Sequence, residues 1–451
     1  LSLPNQFGGY GTYARLGYYY NAIALNSSLR NKFRKIWQSE FFRNAATLAT
    51  GTTVAQGISI FTAPILYRIY DREDYGTLGL YMAITGVVGV FSTMQYLQVI
   101  LLEKEDADAK AAMWLNRVIN FGVALVIGVI TILLNKPLSH FLNSPSISYW
   151  LYLCPVSIFF SGQNAIFRTW ANRKKYYKIL STNTILMAVI VPAISLTYGI
   201  AIGGFATGLF LGLLASHIIP PLILFFRLSK RDNLGFIFWN WVTVKQLAIK
   251  HLNFPKYSLP ANFVSNFSHQ LPIFIFSRFE GPALVGLYNL SNRMLGIPSN
   301  LIASSIGEVY RQKASQDYNE KGTFKTIYLQ TLKIVTLIAI PTFGLIALTG
   351  PVLFAFIFGE EWREAGRISQ IMSLVFGLRF INAPLSYAIF IKGKQKIDLI
   401  ASLWFVLSSA AVLYVGFLVS DNYIIPISLF ALNFALIYLI MMIYTFKLST
   451  Q

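Results

Sequence analysis

Three arginines occupy positions where a permanent charge needs a reason. Arg293, Arg379 and Arg168 fall inside apolar runs long enough to cross a bilayer. A guanidinium keeps its proton there, and at mid-bilayer it costs about 2.5–3.5 kcal/mol even on the mildest scale. Such a group needs water or an anion. Its planar fork holds two oxygens at once, which suits a phosphate or diphosphate. Two structural explanations compete for Arg293 and Arg379: pairing with helix-end carbonyls, or pairing with Glu308. Arg168 lies near one end of its run and could instead extend to the membrane surface.

Other polar residues recur in the same runs at helical spacing. Asn289, Arg293, Asn300, Ser304 and Glu308 form one stripe, Ser258, Asn262, Ser265, Asn266 and His269 a second with Gln270 at its edge, and Thr52, Gln56 and Ser59 a third. A polar stripe must avoid lipid. Either these faces line a hydrated cavity between two helical lobes, or their side chains bond neighbouring helices at about 0.6–2 kcal/mol each. His269, read as the one histidine well inside a span, could carry a coupling proton or act as a hydrogen-bonded structural group. Glu308 is the only acidic candidate for a proton or sodium site. Asp71, Glu73 and Asp74 have no neighbouring His or Cys and read as a solvated turn. The single cysteine, Cys154, excludes an intramolecular disulfide and a Cys-based metal site. No catalytic residues, metal or cofactor are expected.

The elements that must carry these residues follow from composition. The chain has 451 residues, 55% hydrophobic and only 12% charged, about half the charged share of a soluble domain. The expected fold is all-α: a polytopic membrane protein of about twelve transmembrane helices. The runs cover approximately 45–68, 75–102, 115–134, 147–170, 179–199, 205–226, 256–278, 284–308, 327–348, 367–390, 397–418 and 423–446. Prolines inside them, such as Pro192 and Pro341, are expected to kink helices. Residues 1–29 read as a disordered or misassigned leader.

The net charge of +19 reports orientation before it suggests nucleic acid, because basic loops stay cytoplasmic. With the N-terminus inside, 27 Lys and Arg fall on the cytoplasmic side against 6 on the other. Both termini are therefore expected inside. The opposite loops are short and leave no room for a folded outer domain.

The two halves resemble each other at a shift of 210 residues, Arg68 falling on Arg278, Gly76 on Gly286 and Gln98 on Glu308. At a shift of 218, Ser161, Asn164 and Arg168 fall on Arg379, Asn382 and Ser386. Six spans per half make a parallel repeat about an axis along the membrane normal, as in transporters whose lobes rock about a central site. Chance similarity between apolar helices is the competing explanation. The implied organisation is an N-terminal cytoplasmic segment (1–38), a first six-helix bundle (39–230), a cytoplasmic linker (231–255) and a second, pseudo-symmetric six-helix bundle (256–451) around a central cavity.

Linear motifs add a resemblance. Phe42-Arg43-Asn44, Thr50-Gly51-Thr52, Ala55-Gln56, Pro64-Ile65-Leu66, Arg68-Ile69-Tyr70 and Asp74-Tyr75-Gly76 occur in the first half. Phe254-Pro255-Lys256-Tyr257-Ser258-Leu259-Pro260, Gln270-Leu271-Pro272, Val285-Gly286-Leu287-Tyr288 and Asn292-Arg293-Met294 with Pro298 occur in the second. Over roughly 40–445 the chain resembles bacterial polysaccharide-repeat-unit flippases of the multidrug/oligosaccharidyl-lipid/polysaccharide exporter superfamily.

That resemblance implies two six-helix bundles forming a V around a cationic cavity. It also implies transfer of undecaprenyl-diphosphate-linked oligosaccharides from the cytoplasmic to the periplasmic leaflet of a bacterial inner membrane. The diphosphate would be held by Arg293 and Arg379 with Arg168 assisting, while Asn262, Asn266, Gln56 and His269 would contact sugar hydroxyls or order water. Expected partners are the lipid-linked oligosaccharide, the bilayer and other polysaccharide assembly proteins, with no nucleic acid. The scarcity of membrane carboxylates sets the chain apart from ion-coupling schemes that use an acid in the first lobe. The alternatives are a multidrug exporter of the same superfamily and a membrane glycan polymerase or ligase.

Overall fold

A computed structural model of the chain describes residues 40–232, 234 and 241–450. The expected leader and the whole 1–38 segment lie outside the described residues, as does the Asn300 side chain of the eighth-span stripe. Among the described residues there are seventeen α-helices. The first lobe comprises α1 (Glu40–Ile69), α2 (Arg72–Gly89), α3 (Leu97–Leu102), α4 (Asp106–Phe141), α5 (Ile147–Leu151), α6 (Cys154–Arg173), α7 (Tyr177–Ala201) and α8 (Ala206–Asp232). A short helix α9 (Trp241–Lys250) precedes the second lobe. That lobe comprises α10 (Leu259–Glu280), α11 (Pro282–Pro298), α12 (Ser304–Lys321), α13 (Lys325–Phe358), α14 (Arg363–Leu385), α15 (Ala388–Ile391), α16 (Gln395–Val419) and α17 (Ile424–Thr450). With α11 and α12 joined through a π-helical turn at Ser299–Ala303, each lobe has six long helical passes.

Eight of these passes are long and apolar enough to cross a membrane. The other four, α1, α6, α10 and the α11–α12 pair, do not reach that level of apolarity. These four are the passes that carry the polar stripes and two of the three arginines. Each of the four places part of its polar face on the cavity between the lobes.

Two expected passes are broken. The sequence predicts a second span over about 75–102, yet that pass stops at Thr93, and Met94 and Gln95 adopt left-handed conformations (φ 43° and 64°) before α3 begins. The fourth was read as continuous from 147 and instead restarts at Cys154, where Pro155 occupies the first turn of α6 and needs no hydrogen-bonded N–H. The acidic turn at 71–74 has a local purpose: Asp71 Oδ1 accepts the N–H groups of Glu73 (2.9 Å) and Asp74 (2.8 Å) and caps α2.

Helix α9 is not a free linker. Tyr96 donates to the Ala248 carbonyl (2.9 Å), and Glu103 accepts Lys250 Nζ (2.7 Å) and contacts His251 Nε2 (2.6 Å). These two basic partners hold the Glu103 carboxyl below the usual carboxylate range. The helix therefore docks on the first lobe.

The lobes meet at the end that carries the short loops. There α2 packs against α10 and α11, and α1 reaches α13. Trp362 Nε1 donates to the Tyr67 carbonyl (2.6 Å) and Ser277 Oγ to the Leu142 carbonyl (2.5 Å). Arg68 caps the end of α13 through the carbonyls of Phe356 (2.6 Å) and Ile357 (3.3 Å), while Arg278 lies over the Phe141 ring at the end of α4. One apolar cluster runs through both lobes, and Tyr67, Tyr75, Phe358 and Trp362 interlock within it. Towards the opposite, basic end each lobe has an apolar cluster of its own, around Trp170 in the first and Tyr328 in the second. The molecule is thus joined at one end and divided at the other.

Candidate functional site

Between the lobes lies a cavity of about 1150 Å³ lined by both. The first lobe contributes Thr52, Gln56 and Ser59 from α1, Asn164 and Arg168 from α6, Thr184 from α7 and His217 from α8. The second contributes His269 and Gln270 from α10, Asn289, Asn292 and Arg293 from α11, and Arg379 from α14. No carboxylate is among the described lining residues.

Each arginine is held by neutral neighbours. The spacing of three and then four in Ser161, Asn164 and Arg168 sets them on one face of α6, and α7 answers with Asn183 and Thr184. Arg168 Nη1 donates to Thr184 Oγ1 (2.9 Å), and Asn183 Nδ2 donates to Asn164 Oδ1 (3.1 Å). Arg293 is exposed to the cavity, in the electrostatic neighbourhood of the Tyr67 hydroxyl. Arg379 is likewise exposed, 5.7 Å from the centre of the Phe376 ring and in the electrostatic neighbourhood of His269, Tyr288 and Tyr438.

The competing pairings can be located. Glu308 is exposed on α12, outside the cavity lining, and takes part in no ion pair among the described residues. Capping of helix-end carbonyls occurs at Arg68, not at the three interior arginines. A dielectric well below that of water strengthens each guanidinium's attraction for an anion, and three such groups with no carboxylate among the described lining residues give the cavity a positive potential.

Of the expected polar contacts, Gln56 and His269 line the cavity. Asn262 and Asn266 do not. They lie on α10 towards the basic end, and their amides donate to the carbonyls of Ser258 and Asn262, four residues earlier, at 2.9 Å each. Towards that end the lobes separate, so the helix face that borders the cavity at His269 is open at Asn266 and Asn262.

The sequence reading passed over His217. It lies in the middle of α8, lines the cavity, and its Nδ1 is buried without a hydrogen-bond partner. The signal was present, since a histidine twelve residues into the sixth apolar run is as anomalous as one in the seventh. Asn289 is a further lining residue with an unpartnered buried amide, Nδ2, packed where a Cβ on Gly79 would otherwise sit.

Comparison with known proteins places this geometry. The profile of a family described as polysaccharide biosynthesis protein matches residues 65–367. The succinoglycan biosynthesis transport protein ExoT of Rhizobium meliloti (strain 1021) is 23% identical over 350 residues, which is 74% of this chain and 66% of that protein. The lipopolysaccharide biosynthesis protein WzxC of Escherichia coli (strain K12) is 20% identical over 364 residues, 78% of this chain and 70% of the other. The chain thus spans about two thirds of the length of these relatives.

Among solved structures, the lipid II flippase MurJ in an inward closed conformation superposes with a TM-score of 0.67 at 17% identity. The match covers 90% of this chain and 87% of that one. A transporter of the MOP superfamily from Pyrococcus furiosus superposes with a TM-score of 0.58 at 11% identity, covering 90% and 96%. At these identities the likeness establishes the fold alone, that of a polytopic all-α membrane protein with two helical lobes.

Proposed function

Since the chain belongs to the polysaccharide biosynthesis protein family, we propose that it is a flippase. It carries undecaprenyl-diphosphate-linked oligosaccharide repeat units from the cytoplasmic to the periplasmic leaflet of a bacterial inner membrane by alternating access. The observation that carries this reading is the interlobe cavity with three guanidinium groups and no carboxylate among its described lining residues.

With the basic loops cytoplasmic, the cavity opens towards the cytoplasm and the joined end closes it from the periplasm. Arg293 and Arg379, both on the second lobe, hold the diphosphate. Arg168 faces them from the first lobe and adds attraction along the way in. Gln56, Asn289, His217 and His269 offer donors and acceptors to sugar hydroxyls or to water, and Asn262 and Asn266 stand at the mouth. The lipid tail stays in the bilayer between the lobes. Turnover is a population shift between two packings of rigid lobes, and it requires the contacts of Arg68, Trp362 and Ser277 to break.

The charge of the cavity argues against the multidrug alternative, since lipophilic cations would meet three fixed positive charges. The short loops at the joined end argue against a polymerase or ligase, whose catalytic groups would have to face outward.

The deciding measurement is leaflet sidedness of a labelled diphosphate-linked oligosaccharide lipid in vesicles. Wild-type protein is expected to equilibrate the lipid, and the Arg293→Ala, Arg379→Ala double variant, reconstituted at equal density, to leave it in its original leaflet. Equal rates for the two proteins would remove the site assignment, and no transfer by the wild type would remove the function.

A further inference from the structure

A second, smaller recess lies outside the transport cavity at the basic end of the first lobe. It has a volume of about 440 Å³ and is lined by Thr47 at the start of α1, by Lys175, Tyr176, Tyr177, Lys178 and Ile179 where α6 turns into α7, and by Arg231 at the end of α8. It shares no lining residue with the interlobe cavity. We infer that it holds the phosphate of an anionic phospholipid from the leaflet at that end.

The basic residues of this turn divide into two sets. Arg173 and Lys174 point away, both pairing with Asp106, and Arg173 also donates to the carbonyls of Ile100, Glu103 and Lys104. Lys175 and Lys178 are exposed, line the recess and have no carboxylate partner among the described residues. Arg231 joins them, its guanidinium 4.0 Å from the centre of the Tyr176 ring. Asp232, next to Arg231 in the chain, turns its two oxygens to Trp170 Nε1 and the Tyr176 hydroxyl, accepting from them at 2.8 Å each. Three cations therefore line or border the recess against the single carboxylate of Asp232, which leaves it net positive.

Lys175 also occupies a left-handed position (φ 58°) just after the end of α6, where glycine or asparagine is usual. A lysine there accepts backbone strain to place a charge at the rim.

The source of the phosphate follows from position. The recess lies between three membrane passes, α1, α7 and α8, at the level where they leave the bilayer. On α1, Val54 and Phe61 follow Thr47 at seven-residue spacing, which keeps them on one helix face, and both are exposed, a strip on which an acyl chain can lie. Basic pockets between transmembrane helices at a membrane surface bind anionic lipid head groups in this way, whereas free phosphate would use only the rim.

The test uses full-length protein purified in detergent and native mass spectrometry with phosphatidylglycerol, phosphatidylcholine or inorganic phosphate. Wild-type protein is expected to retain phosphatidylglycerol over phosphatidylcholine. The Lys175→Ala, Lys178→Ala, Arg231→Ala variant is expected to lose that retention by roughly tenfold or more. A charge-matched control, Lys104→Ala, Lys245→Ala, Lys333→Ala, should retain the lipid as the wild type does. Undiminished retention in the first variant overturns the site, and an equal loss in the control reduces it to bulk surface charge. Displacement of the lipid by an equimolar amount of inorganic phosphate overturns the lipid as its ligand.

Discussion

Gly76 and Gly286 meet across the lobe boundary in a reciprocal contact. A Cβ on Gly76 would overlap the carbonyl of Pro282, and one on Gly286 would overlap the carbonyl of Arg72. Gly76 and Gly286 are 210 positions apart in the sequence, as are Arg72 and Pro282. Contact of one residue with the partner's counterpart, returned in kind, is what a two-fold axis imposes. The same axis relates Tyr67 to Ser277 and Arg68 to Arg278, and each of these residues touches the end of the third pass of the opposite lobe or the loop that follows it. The internal repeat is therefore built into the closure itself.

Because backbone, not side chain, would receive the added atom, Gly286→Ala is expected to push α2 and α11 apart at a cost of about 1–3 kcal/mol to the closed arrangement. An impermeant thiol reagent applied from the periplasmic side should then label Asn292→Cys faster in the Gly286→Ala background than in its absence. Unchanged labelling would show that the helices can separate without the gate opening.

Trp362 is almost fully buried and its indole N–H bonds the Tyr67 carbonyl. Trp362→Phe leaves that carbonyl unsatisfied, and a buried group so orphaned costs about 1–3 kcal/mol. The variant should melt at a lower temperature than wild type in detergent and label faster at Asn292→Cys. A melting temperature equal to wild type would mean that water replaces the indole at once.

A carboxylate brought into the cavity should compete with the cargo for its cations. Gln56→Glu is expected to lower the transfer rate by roughly tenfold or more, as loss of one charge-assisted hydrogen bond implies, while Gln56→Met should have a smaller effect. If both variants transported equally poorly, packing rather than charge would be the cause.

The Glu103 ion pair gives a pH dependence whose sign is fixed. Its folded carboxyl is held below the ordinary carboxylate range by Lys250 and His251, so its contribution is complete above the ordinary value and is lost as pH falls through the depressed one. Proteolysis between the lobes, near α9, should accelerate over that acidic window in wild type. Glu103→Gln should be cut rapidly at all pH values. A pH-independent wild type would remove the tie.

Charge in a greasy run is the most legible signal a membrane sequence carries, and for that reason Arg168, Arg293 and Arg379 could be placed in the cavity from sequence, together with the all-helical, two-lobed fold. The breaks in the second and fourth passes were harder to read. Met94 and Gln95 take left-handed conformations without glycine, and nothing local announces them. Asn262 and Asn266 share a face with His269, yet periodicity fixes only which residues share a face. Whether that face is covered at a given depth depends on where two lobes diverge, which is a property of the assembled molecule.

The four passes too polar to meet the membrane criterion among the described helices all contribute to the cavity lining. A nascent α1, α6, α10 or α11 gains little by partitioning into lipid alone, and each depends on its neighbours to be retained. Biogenesis of the protein is therefore cooperative: the greasier passes must already be in the bilayer to shelter the hydrophilic ones, and Arg168 and Arg293, carried on α6 and α11, are among the last to find their surroundings.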